Sequence, residues 1–171
     1  MATWVAWLRA INLGSRNKVP MAELRQVFED AGCESVRTYI QSGNVVFEHA
    51  KPKRATLEAA VADAFGLKIT IVLRTAKQIR ELVQAHPFGT DTSKSYVAFL
   101  AEKPAAAALR ALSELDIAPA RLETVGPDIV VHYPNGFSGA RLGAAGLEKH
   151  LGVPATFRNW RTVTRVAELA N

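Results

Sequence analysis

Residues 1–74 read as strand, helix, strand, strand, helix, strand, and this order limits what the chain can fold into more than anything in its composition. Residues 3–11, TWVAWLRAI, are β-prone and almost continuously apolar, the pattern of a central strand. NLGSRNK follows and reads as a loop, because Gly, Ser and Asn favour turn conformations. Pro20 stands where a first helical turn starts, Met21, Leu24, Val27 and Phe28 recur at helical spacing, and Gly32 stops the run. Residues 36–39 form a short strand, QSGN a turn, and Val45, Val46 and Phe47 begin the returning strand of a hairpin. Pro52 opens a second helix carrying Leu57, Val61, Ala64 and Phe65, Gly66 ends it, and residues 68–74, KITIVLR, make the last strand. The order β-α-β-β-α-β is that of the ferredoxin-like unit.

The remaining chain partly repeats it. Thr75 predicts the cap of a helix over residues 76–85, and HPFGTDTSK is a loop. Residues 96–100 read as a strand, 105–115 as a helix behind Pro104, and 121–125 with 129–133 as a second hairpin around a GPD turn. A helix over 142–151, a short strand at 155–157 and a closing helix over 162–169 complete the pattern. The fold class is therefore α/β (α+β): two ferredoxin-like subdomains with antiparallel sheets and helices packed against them. The expected division is 1–74, a connecting helix and loop over 75–93, and 94–171 as a reduced second unit with the C-terminal helix. The repeat is one of topology, without recognisable sequence similarity.

A chain of 171 residues with 22% charged side chains can bury a core without metal or disulfide staples. Cys33 is the single cysteine, so an intrachain disulfide is excluded and a reducing, cytoplasmic location is expected. No apolar run suits a leader or a membrane span, so no membrane partner is expected. The formal charge of +5 suits an anionic partner, yet it is not localised along the chain: residues 1–74 carry 10 Lys and Arg against 7 acids, and the rest 11 against 9.

Three segments concentrate chemistry. The first is the loop of Asn12, Gly14, Ser15, Arg16, Asn17 and Lys18, which follows a strand and precedes a helix, so amides and cations there suit an anion. It matches neither GxxxxGK[ST] nor GxGxxG. The second is YIQSGN, with Gln41, Ser42 and Asn44 around Gly43; it is first of all a tight turn. The loop between the first strand and helix is expected at the opposite end of the sheet from this turn, which separates the two segments. The third holds Thr156, Arg158, Asn159, Arg161, Thr162 and Arg165 around Trp160. Trp160 reads as a buried anchor for the last helix, with a base-stacking aromatic as the alternative. A nucleic-acid platform on the sheet would need solvent-facing aromatics, for which Trp7 and Phe47 are the candidates, without the basic–Gly–aromatic signature. His49, His86, His132 and His150 are scattered without metal-ligand spacing, so no metal and no cofactor is expected. Cys33, at a helix end, reads as a small buried residue.

The stretches LRAINLGSRNKVPMAEL, TYIQSGNVVF and TFRNWRTVTRVAEL resemble the DUF1697 family of uncharacterised, mostly bacterial proteins along essentially the whole chain. The resemblance implies a pair of ferredoxin-like subdomains. Its pattern falls on Arg9, Asn12, Gly14, Lys18, Met21 and Leu24, then on Thr38, Tyr39, Ser42, Gly43 and Asn44, and finally on Thr156, Arg158, Asn159, Trp160 and Thr162. It implies no activity.

The expected function is non-catalytic binding of a phosphate-bearing ligand, a nucleotide or nucleic acid, by Arg9, Asn12, Gly14, Arg16, Lys18, Ser42, Asn44, Arg158 and Asn159. One alternative is a small-molecule enzyme with a pocket between subdomains, using His86, His132 or Asp128. Another is a structural or protein-interaction module, and a homodimer stays open.

Overall fold

The computed structural model describes every residue except Thr90, Ser138 and Gly139, so Thr90 of the expected 86–94 loop lies outside the described residues. The chain divides into two compact units, Met1–Arg80 with Arg165–Asn171, and Glu81–Thr164. Each carries a four-stranded antiparallel sheet with helices packed on it, in a roughly ferredoxin-like α/β arrangement. Among the described residues no helix is long and apolar enough to cross a membrane.

The first unit runs β1 (Ala2–Leu8), α1 (Met21–Asp30), β2 (Glu34–Tyr39), β3 (Asn44–His49), α2 (Arg54–Phe65) and β4 (Ile71–Thr75), with sheet order β2-β3-β1-β4. Alternation along β1 sends Ala6 and Leu8 into a core with Val45, Phe47 and Ile71, against Leu24 and Phe28 of α1 and Leu57 and Val61 of α2. Phe28 meets Phe47 edge-on at 5.4 Å between centroids. Gly32 and Gly66 stop the two helices as the sequence predicts; Gly66 does so in the left-handed conformation, its N–H bonded to the Ala62 carbonyl.

β1 ends three residues before the expected boundary at Ile11. Ala10 takes a left-handed φ of 58° and turns the chain, yet Ile11 is buried in the core, which is why the run looks like continuous strand. Trp7 and Phe47 are both fully buried. Cross-strand register puts Phe47 opposite Trp4 and Trp7 opposite Asn44, so the two aromatics also lie on opposite faces of the sheet. They form no solvent-facing platform for bases.

The second unit runs from within α3 (Ala76–Gln84) through β5 (Ser95–Leu100), α4 (Ala106–Ser113), β6 (Arg121–Val125), β7 (Asp128–His132), α5 (Ala144–Leu151) and β8 (Ala155–Asn159) into α6 (Trp160–Leu169). Its sheet order, β6-β7-β5-β8, repeats the first. The last strand is not reduced: all five residues of β8 pair with β5. The long helix expected from 142 starts at Ala144, because Gly143 is its N-cap. Thr75 caps α3 as expected, and does so reciprocally. Its Oγ1 accepts from the Gln78 N–H while Gln78 Oε1 accepts from the Thr75 N–H, a capping box.

The two central strands also reveal a repeat that spacing alone hid. Thr3–Leu8 reads TWVAWL and Ser95–Leu100 reads SYVAFL. Their neighbours match in register: Val5 pairs with Val46 and Arg74, Val97 with Val130 and Arg158.

Gly43 is where the hairpin turn of the first unit meets this framework. At φ 82° it lies in the left-handed region, and a Cβ there would stand 2.7 Å from Leu8 Cβ and 2.8 Å from Ile11 Cδ1. Gly14, at φ 59°, has open space around it. Gly43→Ala is expected to cost about 3 kcal/mol, from left-handed strain plus overpacking, and Gly14→Ala only about 1 kcal/mol from strain. Urea unfolding of the two variants checks this, and equal losses would contradict it.

Candidate functional site

The two polar segments of the first unit meet at one end of its sheet. This corrects the expectation that they lie at opposite ends. β1 and β3 are antiparallel neighbours with Trp7 opposite Asn44, so the start of β3, and the turn that feeds it, must lie beside the end of β1. β4 starts there too, with Leu8 opposite Ile71. Three connections therefore share this end: residues 9–20, 40–43 and 66–70.

Asn12 fastens them. Its Nδ2 donates to the Val19 carbonyl at 2.9 Å and to the Gln41 carbonyl at 2.7 Å, while its Oδ1 accepts from the Val19 N–H at 2.8 Å. All the hydrogen-bonding capacity that matters for a fixed side-chain amide is thus turned inward, onto backbone. Beyond it the chain folds back on itself: Leu13 and Arg16 exchange both N–H···O bonds, the Asn12 N–H donates to the Asn17 carbonyl, and Asn17 Nδ2 donates to Ala10 O. Ala10, Asn12, Gly14 and Asn17 all take left-handed φ, which makes so tight a return feasible. On the turn side, Asn44 is fully buried and donates to the Tyr39 carbonyl and to Ser42 Oγ, each at 2.9 Å. The Leu8 N–H donates to Gly43 O, and the Arg9 N–H to Thr70 O.

Several residues expected to touch ligand thus have architectural partners. Asn12, Ser42 and Asn44 tie backbone to backbone at this end. Arg158 and Asn159 belong to the second unit, and their partners there are internal. Arg158 is buried, donates to Thr156 Oγ1 at 2.6 Å and to Phe157 O at 2.9 Å, and burial pushes its guanidinium down to about 10. Asn159 Oδ1 accepts from the Thr162 N–H at 2.8 Å, capping α6. Trp160 is buried, its ring 4.6 Å from that of His86, in keeping with its reading as an anchor.

What points outward is cationic. Gly14, Ser15, Arg16, Asn17, Lys18 and Lys68 are exposed, and Arg9 is half-buried. Among the described residues neither Arg16 nor Lys18 forms an ion pair. The three connections hold Arg9, Arg16, Lys18 and Lys68 and no acid; the acids nearest them in sequence are Glu23 in the opening turn of α1 and Asp63 near the end of α2. Three of these cations share one loop in the sequence, and topology brings Lys68 to the same end of the sheet. Leu13 and Ile40, which the sequence reading passed over, are 55% and 51% exposed at the same end.

The second unit contains a cluster that motif spacing could not reveal. Ser95, fully buried, lies between His86 Nε2 at 2.8 Å and His132 Nδ1 at 3.0 Å. His86 Nδ1 lies 3.2 Å from the Gly89 carbonyl and 3.4 Å from the Phe88 backbone nitrogen. The Ser95 hydroxyl thus bridges the two imidazole rings. The antiparallel register of β5 against β7, which pairs Ser95 with His132, is the signal that could have found this cluster. A hydroxyl so buried is no accessible nucleophile; it joins the two rings. Phe88 packs against His132, with the Arg121 guanidinium 5.0 Å over the Phe88 ring. Cys33 is buried and its thiol is pushed up to about 11 by that burial, so it is no nucleophile either. Among the described residues no group of three or more His, Cys, Asp or Glu side chains could hold a metal ion.

Two outcomes follow from these geometries. Asn12→Ala removes three hydrogen bonds and is expected to cost about 2 kcal/mol. Trypsin cleavage after Arg16 and Lys18 should quicken severalfold, and unchanged cleavage would show that Asn12 does not hold the loop. Burial, then the Arg121 charge, lowers the His132 pKa below 6.5 in the fold. The neutral ring is the favoured form, so its contribution is complete above 6.5 and is lost as pH falls from there toward the folded-state value. The urea midpoint should fall on acidification from about pH 7 to about pH 5, less steeply in His132→Gln.

Comparison with known proteins agrees with the fold. The chain is similar to the conserved bacterial protein SP0830 from Streptococcus pneumoniae, with a TM-score of 0.78 and 24% identity over 99% of each chain. At that identity the likeness concerns the fold alone. No curated protein matches the sequence. The model of the family described as "Protein of unknown function (DUF1697)" matches residues 1–129. With three quarters of its length so matched, its first two polar segments included, the chain belongs to the DUF1697 family, an uncharacterised and mostly bacterial one.

Proposed function

We propose that the chain binds a phosphate-bearing ligand, nucleic acid above all, on the end of the first unit formed by residues 9–20, 40–43 and 66–70. This reading takes the units as ferredoxin-like subdomains, 1–74 and 94–171, joined through 75–93. On that footing the second unit is an internal control for the first.

The comparison between the two carries the proposal. The connection from the first strand to the first helix spans residues 9–20 in the first unit and residues 101–105 in the second. The hairpin turn spans 40–43 against 126–127, and the last helix-to-strand connection 66–70 against 152–154. One chain thus closes the same topology with far shorter connections, so the fold does not demand the longer ones. Charge differs in parallel. The longer set holds four cations and no acid, the shorter set Lys103 and Glu102. Loops longer than their fold requires, rigidly fastened and of one sign, are the usual place of a binding surface. Asn12, Asn17 and Asn44 serve it by holding the backbone from which Arg16 and Lys18 project.

Binding of this kind depends on salt through counterion release. Arg16→Ala/Lys18→Ala should weaken binding to a fluorescent oligonucleotide and to inorganic polyphosphate alike. The slope of log K against log salt should drop by about 1 per removed cation. Unchanged affinity, or a loss without change in the slope, would overturn the reading. Because both side chains are exposed, the melting temperature of the variant should stay at the wild-type value.

A further inference from the structure

We infer that Leu13 and Ile40 contact bases, so that the ligand at this end is single-stranded nucleic acid whose unstacked bases lie against the two aliphatic side chains while its phosphates meet Arg16 and Lys18. The inference rests on the phosphate-binding reading and goes beyond it, from the charge of the ligand to its strandedness.

Apart from the terminal Met1, Leu13 and Ile40 are the large apolar side chains more than half exposed among the described residues. They are not scattered. Leu13 follows Asn12 and Ile40 precedes Gln41, and the Asn12 Nδ2 bond to the Gln41 carbonyl, 2.7 Å, joins the two backbones between them. The same bond network projects Arg16, since Leu13 and Arg16 are each other's backbone partners. Two aliphatic groups and the cations thus stand on one fastened piece of surface.

Ile40 is also costly where it is. Its φ of 49° is left-handed, a conformation that β-branched residues avoid, and Gly or Asn would serve this turn with less strain. The side chain recovers little by burial, being half exposed. Local folding therefore gives no reason for isoleucine, whereas a ligand with an apolar face does. Charge restricts that ligand to an anion, because no acid stands in the three connections. Nucleic acid is a polyanion with apolar faces. Stacked duplex bases would have to be parted before meeting aliphatic side chains, whereas a single strand presents its faces at no such cost.

Fluorescence anisotropy at one salt concentration tests this with a labelled oligothymidylate, a duplex of the same length, and inorganic polyphosphate as competitor. The wild type should prefer the single strand to the duplex roughly tenfold. Leu13→Ser/Ile40→Ser should weaken the single strand roughly tenfold and leave duplex, polyphosphate and the salt slope unchanged. Ile40→Gly, which relieves the left-handed strain, should lower single-strand affinity while leaving the protein as stable or more so, which separates lost contact from lost folding. Equal weakening of all three ligands, or none, would overturn the inference. So would wild-type protein that sediments with vesicles of anionic phospholipid and shows no preference for the single strand. If polyphosphate binds and the single strand binds no better than the duplex, this inference fails alone; if neither binds, the phosphate-binding reading fails with it.

Discussion

The side-chain amide of Asn12 is the interaction on which the proposed binding end of the first unit depends. Twelve residues between a strand and a helix would ordinarily be mobile, because ordering each one costs roughly 1–2 kcal/mol of backbone entropy. Here Ile11 and Val19 bury at the base of the loop, and between them Asn12 bonds to the Val19 N–H and carbonyl and to the Gln41 carbonyl. Three left-handed residues besides Asn12 then fold the tip back tightly. The outcome is a rigid projection made from polar residues that are themselves spoken for, leaving Arg16, Lys18, Leu13 and Ile40 to face solvent.

This division of labour explains why polar segments are easy to find in the sequence and hard to interpret. Asn12, Asn44, Arg158 and Asn159 stand out because a loop rich in such residues suggests a ligand, yet each has backbone partners in its own unit. An amide or guanidinium satisfies a carbonyl as well as it satisfies a phosphate. The residues left facing solvent are less conspicuous: an ordinary Arg, an ordinary Lys, and two aliphatic side chains that a periodicity reading assigns to nothing.

Much of the fold was legible. Helix stops at Gly32 and Gly66, the Thr75 cap and the two hairpins all follow from local chemistry, and local chemistry is what the chain displays. Three things were not. The strand β1 appeared too long because Ile11, beyond its end, is core. The repeat of TWVAWL in SYVAFL became visible once cross-strand partners aligned it. The meeting of the loop with the hairpin turn, and of Ser95 with His86 and His132, depends on antiparallel register over long sequence separations, which spacing does not encode.

The most direct test of the account is an amide chemical-shift map of the full chain titrated with a short single-stranded oligonucleotide. The account predicts shifts concentrated on residues 12–18 and 40–42, with the shorter counterparts at 101–105 and 126–127 unmoved. Shifts centred on those counterparts, or on the His86–Ser95–His132 chain, would contradict it, and the long connections of the first unit would then need a different explanation.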